Sequence, residues 1–179
     1  MISIIQTFIP YAVLVSHPIF LVLFSALVFR RSWGRTIANV VGKNAVLLGF
    51  IIALASISGS LFYSELVGYE PCVLCWWQRV FLYPQVIIFG VALWRKKSDV
   101  FAYSVPLVTL SALLALYHQY VYMGGASLLP CTALGGACAK IYVMEFGYIT
   151  IPMMSLTAAA FFLLLAWAHR IYVKENRNS

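Results

Sequence analysis

Residues 70–97 read EPCVLCWWQRVFLYPQVIIFGVALWRKK, and the reach of the apolar run inside this stretch decides the fold. Its uncharged part, 80–94, holds only fifteen residues, whereas a helix rising ~1.5 Å per residue needs ~20 to cross ~30 Å of hydrocarbon. Begun near Trp76, with Arg79 one turn inside, the run becomes long enough. Four other charge-free runs, roughly 8–29, 45–64, 100–122 and 146–168, qualify without help. The composition agrees: of 179 residues, 63% are hydrophobic and 9% charged, against roughly a quarter charged in soluble domains. The chain reads as an all-α membrane protein with five spans.

Five spans put the termini on opposite sides, and basic residues tell the sides apart. Arg30, Arg31, Arg35 and Lys43 fall in one connection, Arg95, Lys96 and Lys97 in another, and Arg170, Lys174 and Arg177 in the C-terminal tail. These ten of twelve basic residues share one face, which is therefore expected to be cytoplasmic. Glu65, Glu70 and Glu145 lie on the other face with Arg79 and Lys140. The net charge of +7 thus reports topology and gives no reason to expect nucleic acid. The first run has no basic residues ahead of it, unlike a signal peptide, and reads as a retained span with its N-terminus outside. His17, next to Pro18 in that span, reads as a helix-packing histidine.

All four cysteines fall on the outer side. Cys72 and Cys75 lie between the second and third spans, and Cys131 and Cys138 between the fourth and fifth. Disulfides persist in such a compartment. A structural bridge closing the Cys131–Cys138 loop would stabilise by about 2.5 kcal/mol in the loop-entropy account. A zinc site built from all four is disfavoured by the six residues within CTALGGAC, where a zinc knuckle prefers two to four; no metal is expected. The first pair carries more. Pro71 suits the opening turn of a helix, so the third span should start at the cysteines, with its positive dipole end biasing both sulfurs toward thiolate. Arg79, four residues after Cys75, falls on the same face and favours the Cys75 anion further.

CVLCWWQR, followed by a span, a short basic turn, another span and an outer loop with a second cysteine pair, resembles the disulfide bond formation protein B (DsbB) family over about residues 45–169. The resemblance implies a four-helix transmembrane bundle in a bacterial cytoplasmic membrane, to which residues 1–44 add a further N-terminal helix and a basic loop, and 170–179 a cytoplasmic tail. It implies a thiol oxidoreductase that reoxidises a DsbA-like thioredoxin-fold donor and passes two electrons to a membrane quinone, ubiquinone or menaquinone. By position, Cys131 would form the mixed disulfide with the donor, Cys138 would exchange with Cys72, and Cys75 would face the quinone, with Arg79 polarising its oxygen. His118, at about the depth of the CxxC, and Gln78, beside Arg79, are candidate quinone contacts.

Independently of the resemblance, thiolate–disulfide exchange lets two pairs in adjacent loops relay oxidising equivalents without a metal. A membrane-dissolved oxidant reaches a thiolate only at the bilayer boundary, where a helix-start CxxC stands. Tyr117, Tyr120 and Tyr122, like Trp76 and Trp77, read as an interfacial aromatic belt. In the second span, Gly49 and Ala53, Ala55 and Gly59, and Ser56 and Ser60 are small residues four apart, a spacing that permits close helix contact. The N-terminal span and the compact, uncharged CTALGGAC loop depart from the best-known family pattern. Two alternatives predict different features: a vitamin K epoxide reductase-like protein has its loop pair before the CxxC, and a non-enzymatic scaffold needs its cysteines only for folding.

Overall fold

The computed structural model describes residues 2–29, 32–126 and 140–177. Those residues form seven α-helices: α1 (Ile2–Phe29), α2 (Ser32–Lys43), α3 (Ala45–Leu61), α4 (Val73–Leu82), α5 (Pro84–Trp94), α6 (Phe101–Tyr122) and α7 (Ile151–Arg177). Among the described residues, four helices are long and apolar enough to cross a membrane: α1, α3 with the turn that extends it to Leu66, α6 and α7. The third run expected to span is split into α4 and α5. Pro84 is the reason: it has no N–H to continue the ladder, although Tyr83 N–H still reaches the Arg79 carbonyl at 2.8 Å and keeps helical dihedrals.

Two boundaries differ from the sequence reading. The last long helix begins at Ile151 rather than near 146, because residues 145–149 form a tight turn closed by a Glu145–Ile149 bridge, with Phe146 and Gly147 both at positive φ. The basic stretch after α1, expected as a connection, is the amphipathic helix α2. Its glycines let it lie close to its neighbours: a Cβ on Gly34 would stand 2.5 Å from the Ala26 carbonyl oxygen, and one on Gly42 2.5 Å from Tyr172 Cβ. His169 Nδ1–H donates to the Gly42 carbonyl at 3.0 Å, fastening α2 to α7.

The main core lies where α3, α5, α6 and α7 meet. Phe89, Val108 and Ala159 are fully buried there. Phe89 packs on Phe101 and Phe162, with ring centroids 5.5 Å away in both cases. Gly49 makes room for it, since a Cβ there would meet Phe89 Cε1 at 2.5 Å. The buried Gln85 amide is satisfied by Ser104, whose hydroxyl donates to Oε1 at 2.7 Å, and by the Phe81 carbonyl, which accepts from Nε2 at 3.0 Å. An unpaired amide at that depth would cost about 1–3 kcal/mol.

Of the three small-residue pairs in α3, only Gly49 and Ala53 serve close packing, both being buried in this core. Ala55, Ser56, Gly59 and Ser60 instead line a cavity toward the C-terminal end of α3. Above them α3 widens into a π-helical turn, Phe62–Leu66, in which Val67 N–H reaches the Phe62 carbonyl at 3.0 Å. Gly68 then reverses the chain at φ +80°. Such one-turn π segments are frequent at functional sites.

Candidate functional site

Cys72 is the N-cap of α4, with extended dihedrals, and Trp76 N–H closes the first helical bond onto its carbonyl at 3.1 Å. Pro71 therefore precedes the cap, and Cys75 occupies the first turn. The helix starts at the cysteines, as the sequence suggests. Leu74 and Cys72 bury against Val121 of α6, with Leu114 and Tyr117 around them, and this seats the head of α4 on α6.

The two sulfurs stand 3.4 Å apart, the Cys72 thiol donating to Cys75 Sγ. Cys72 is 5% exposed, whereas Cys75 is only half-buried. This asymmetry corrects the expectation that both sulfurs lean toward thiolate. The Cys72 thiol is pushed up to about 12 by its hydrogen bond to Cys75 and then by burial; His118 pulls the other way and loses. Cys72 therefore holds its proton, and Cys75 accepts it as a hydrogen bond.

His118 is 3% exposed, with Nε2 3.5 Å from Cys72 Sγ and Nδ1 3.1 Å from Gln78 Nε2. Gln78, itself 5% exposed, thus orients the ring. Arg79 is tied to the C-terminal end of α3: its Nε donates to Ser60 Oγ at 3.1 Å and its Nη2 to the Ser60 carbonyl at 3.2 Å. Tyr83 donates to the same Oγ at 3.1 Å. The guanidinium lies 5.2 Å over the Trp76 ring and 5.9 Å over the Tyr83 ring, where their π faces favour a cation.

Cys72, Cys75, Gln78, Arg79 and His118 all border one cavity of about 1080 Å³. Cys131 and Cys138 lie outside the described residues. The sulfurs of Cys72 and Cys75 and a His118 nitrogen fall within 4.8 Å of one another, a spacing that also suits a soft metal ion.

Three features of the site were not read from sequence. Tyr63, in the π-helical turn, borders the cavity at 5% exposure, and its buried hydroxyl has no hydrogen-bond partner. Ser60 is the anchor of Arg79 rather than a packing residue. Tyr122 does not belong to an aromatic belt: at 5% exposure it accepts from the Tyr142 and Val143 amides, at 2.8 and 3.3 Å, and donates to the Val143 carbonyl at 3.1 Å. Trp76, Trp77 and Tyr120 are more than half exposed, as a belt requires. The nearest sequence signal was depth, since Ser60 and Tyr63 end a span at the level of Arg79. His17 packs as expected, its Nε2 3.2 Å from Thr157 Oγ1.

Comparison with known proteins identifies the family. Residues 42–169 match the family model described as disulfide bond formation protein DsbB. A probable disulfide formation protein of Metapseudomonas resinovorans is 37% identical over 125 residues, covering 69% of this chain and 85% of that protein. The SPbeta prophage-derived disulfide bond formation protein B of Bacillus subtilis (strain 168) is 35% identical over 135 residues, 75% of this chain and 90% of its own length. A probable disulfide formation protein of Oceanobacillus iheyensis is 37% identical over 140 residues, 74% of this chain and 91% of its own. No solved structure matches. With the CxxC at a helix start, the arginine one turn on and the buried histidine beside the pair, this match is decisive: the chain belongs to the DsbB family of disulfide bond formation proteins.

Proposed function

We propose that this protein is a membrane thiol oxidase that reoxidises a DsbA-like thioredoxin-fold donor and delivers the electrons to a membrane quinone. The observation that carries the reading is the cavity at the outer end of the bundle. Cys75, Arg79, Gln78 and His118 border it, and so does Tyr63, whose buried hydroxyl has no partner. A ring bearing two oxygens fits that donor set: Arg79 and Tyr63 would hold its oxygens, and Cys75 borders the same space. When bound, a quinone supplies a sink for two electrons and two protons.

Cys131 and Cys138, joined as a disulfide, take the donor's thiolate at Cys131. Cys138 is released and attacks Cys72 of the Cys72–Cys75 bond, freeing Cys75. The donor's second thiolate then closes the donor's own disulfide and frees Cys131, which takes back Cys138 and releases Cys72. Each exchange breaks one S–S bond and forms another, with a proton passing from attacking to leaving sulfur, so the donor leaves oxidised, the Cys72–Cys75 pair is left reduced and the relay moves two electrons. In the reduced pair, Cys72 keeps its proton on Sγ and leaves Cys75 to face the oxidant. Arg79 needs a fixed position to act on charge developing nearby, and the tie to Ser60 supplies it. Because Cys72 is buried, exchange at its sulfur requires the turn before α4 to open, and Gly68 is the position there able to adopt positive φ.

The same reading places α4 and α5 together as one kinked crossing, for five in all, in a bacterial cytoplasmic membrane. The N-terminus and the cysteines lie outside, and the ten clustered basic residues lie inside. The test is quinone absorbance during turnover with a reduced thioredoxin-like donor: the wild type reduces the quinone, and Cys75→Ser stops this while leaving the fold intact. Equal rates from both proteins would refute the role of Cys75. Labelling of the reduced pair by an impermeant maleimide from the cytoplasmic side would refute the topology.

A further inference from the structure

We propose that Cys72, Cys75 and His118 form a Zn2+ site that exists only while the cysteine pair is reduced, and that a bound ion arrests the thiol relay. The arrest rests on the thiol-oxidase reading above; the site itself needs neither donor nor quinone. It is not the four-cysteine site that the sequence disfavours.

The three ligands come from two helices. Cys72 and Cys75 open α4, and His118 reaches them from α6, 46 positions after Cys72. Leu74 and Val121, both buried, pack with Cys72 where the two helices meet, and this holds the cluster together. The two residues inside CVLC also match the spacing of about two to four found in zinc knuckles. Tetrahedral zinc, with Zn–S near ~2.3 Å and Zn–N near ~2.0 Å, sets two sulfurs ~3.8 Å apart and a sulfur ~3.5 Å from a nitrogen. Cys72 Sγ stands 3.4 Å from Cys75 Sγ and 3.5 Å from His118 Nε2, and the three ligating atoms all fall within 4.8 Å of one another. A side-chain shift of about 1 Å completes the set.

The surroundings suit the ion as well. Gln78 stands 3.1 Å from His118 Nδ1; with its amide turned to present the oxygen, it accepts the Nδ1 proton and leaves Nε2 bare for the metal. All three ligands border the cavity, which admits the ion and a water as fourth ligand. Arg79 borders it too, but its guanidinium is engaged by Ser60. Two sulfurs and an imidazole suit Zn2+, whereas Mg2+ and Ca2+ take oxygen ligands. On binding, the two thiols release two protons, and the resulting thiolates cancel the charge of the ion. A Cys72–Cys75 disulfide has no thiolate to offer, so oxidised protein lacks the site. Zinc itself takes up no electrons. With both sulfurs held on the ion, neither can re-form the disulfide.

The test uses full-length Cys131→Ser/Cys138→Ser protein in detergent, which keeps only the first pair, reduced with a phosphine and titrated with Zn2+ alone. Reduced protein should bind a single equivalent, and the same protein oxidised to the Cys72–Cys75 disulfide none. Bound zinc should slow re-formation of that disulfide by diamide at least about tenfold, until a chelator restores the rate. A group that only orients a metal ligand is worth ~10–100-fold in affinity, so Gln78→Ala should weaken binding by about that much and His118→Ala by at least about a hundredfold. X-ray absorption on protein that keeps His118 should show two sulfurs at ~2.3 Å and an imidazole nitrogen at ~2.0 Å. No binding, binding as tight by oxidised protein or by His118→Ala, or a zinc shell without imidazole would overturn the site. Disulfide re-formation at an unchanged rate with zinc bound would overturn the arrest. Failure of zinc-free wild-type protein to oxidise a reduced donor would instead overturn the thiol-oxidase reading and leave the zinc site standing.

Discussion

The Arg79–Ser60 contact offers the sharpest test of how the site holds its charge. Arg79→Lys keeps the charge but loses the planar fork that reaches Ser60 Oγ at 3.1 Å and the Ser60 carbonyl at 3.2 Å. A hydrogen bond from a charged donor contributes ~1.5–3 kcal/mol, and Arg79 is only half-buried, so the lower end applies. The expected loss is about 1.4 kcal/mol, or about tenfold in KM for quinone, with KM for the thiol donor unmoved. Ser60→Ala deletes the hydroxyl shared by Arg79 and Tyr83 but leaves the carbonyl contact. It should cost about 0.5–1 kcal/mol, roughly two- to fivefold. The two substitutions remove one tie, so the double variant should exceed Arg79→Lys alone by less than about twofold, a coupling of about 0.5–1 kcal/mol. The assay is quinone absorbance at saturating donor. Additive effects, or equal rises in both Michaelis constants, would refute the argument that Ser60 positions the guanidinium.

Three further outcomes follow from particular groups. A thiol at about 12 ionises to about one part in ten thousand at pH 8, against about one in ten at the ordinary 9.0. In reduced protein, alkylation should therefore reach Cys75 first, and the rate at Cys72 should keep climbing about tenfold per pH unit beyond pH 9 toward pH 12. Peptide mass spectrometry showing Cys72 levelling off near pH 9 would contradict the raised value. Tyr63→Phe removes an unpaired buried hydroxyl, which costs the ligand-free fold about 1–3 kcal/mol. Tm should hold or rise while KM for quinone increases severalfold, and an unchanged KM would exclude Tyr63 as a ring contact. Gly49→Ala forces a Cβ to 2.5 Å from Phe89 and should destabilise by about 1–3 kcal/mol, whereas Gly59→Ala meets open space and should gain up to ~1 kcal/mol in helix propensity. Thermal unfolding in detergent separates the two, and equal Tm shifts would contradict the packing described.

The long apolar runs and the start of a helix at Cys72 were legible in the chain, because each depends on local composition or on neighbours within a turn. Hydrocarbon needs a minimum helix length, and a proline followed by CxxC opens a helix whatever packs beside it. Other matters needed the third dimension. Ala55 and Gly59 have the same four-residue spacing as Gly49 and Ala53, yet only the latter pair is packed shut, since Phe89 arrives from α5 while nothing arrives at Gly59. Cys72 and Cys75 look equivalent in sequence, but α6 buries one and brings His118 to it from 46 positions away. Composition could mark α1 as a span; only its lean onto α2 and α7 left a cavity beneath it. Local chemistry fixes which segments become helices, and burial and polarity at a site depend on which helix arrives from elsewhere in the chain.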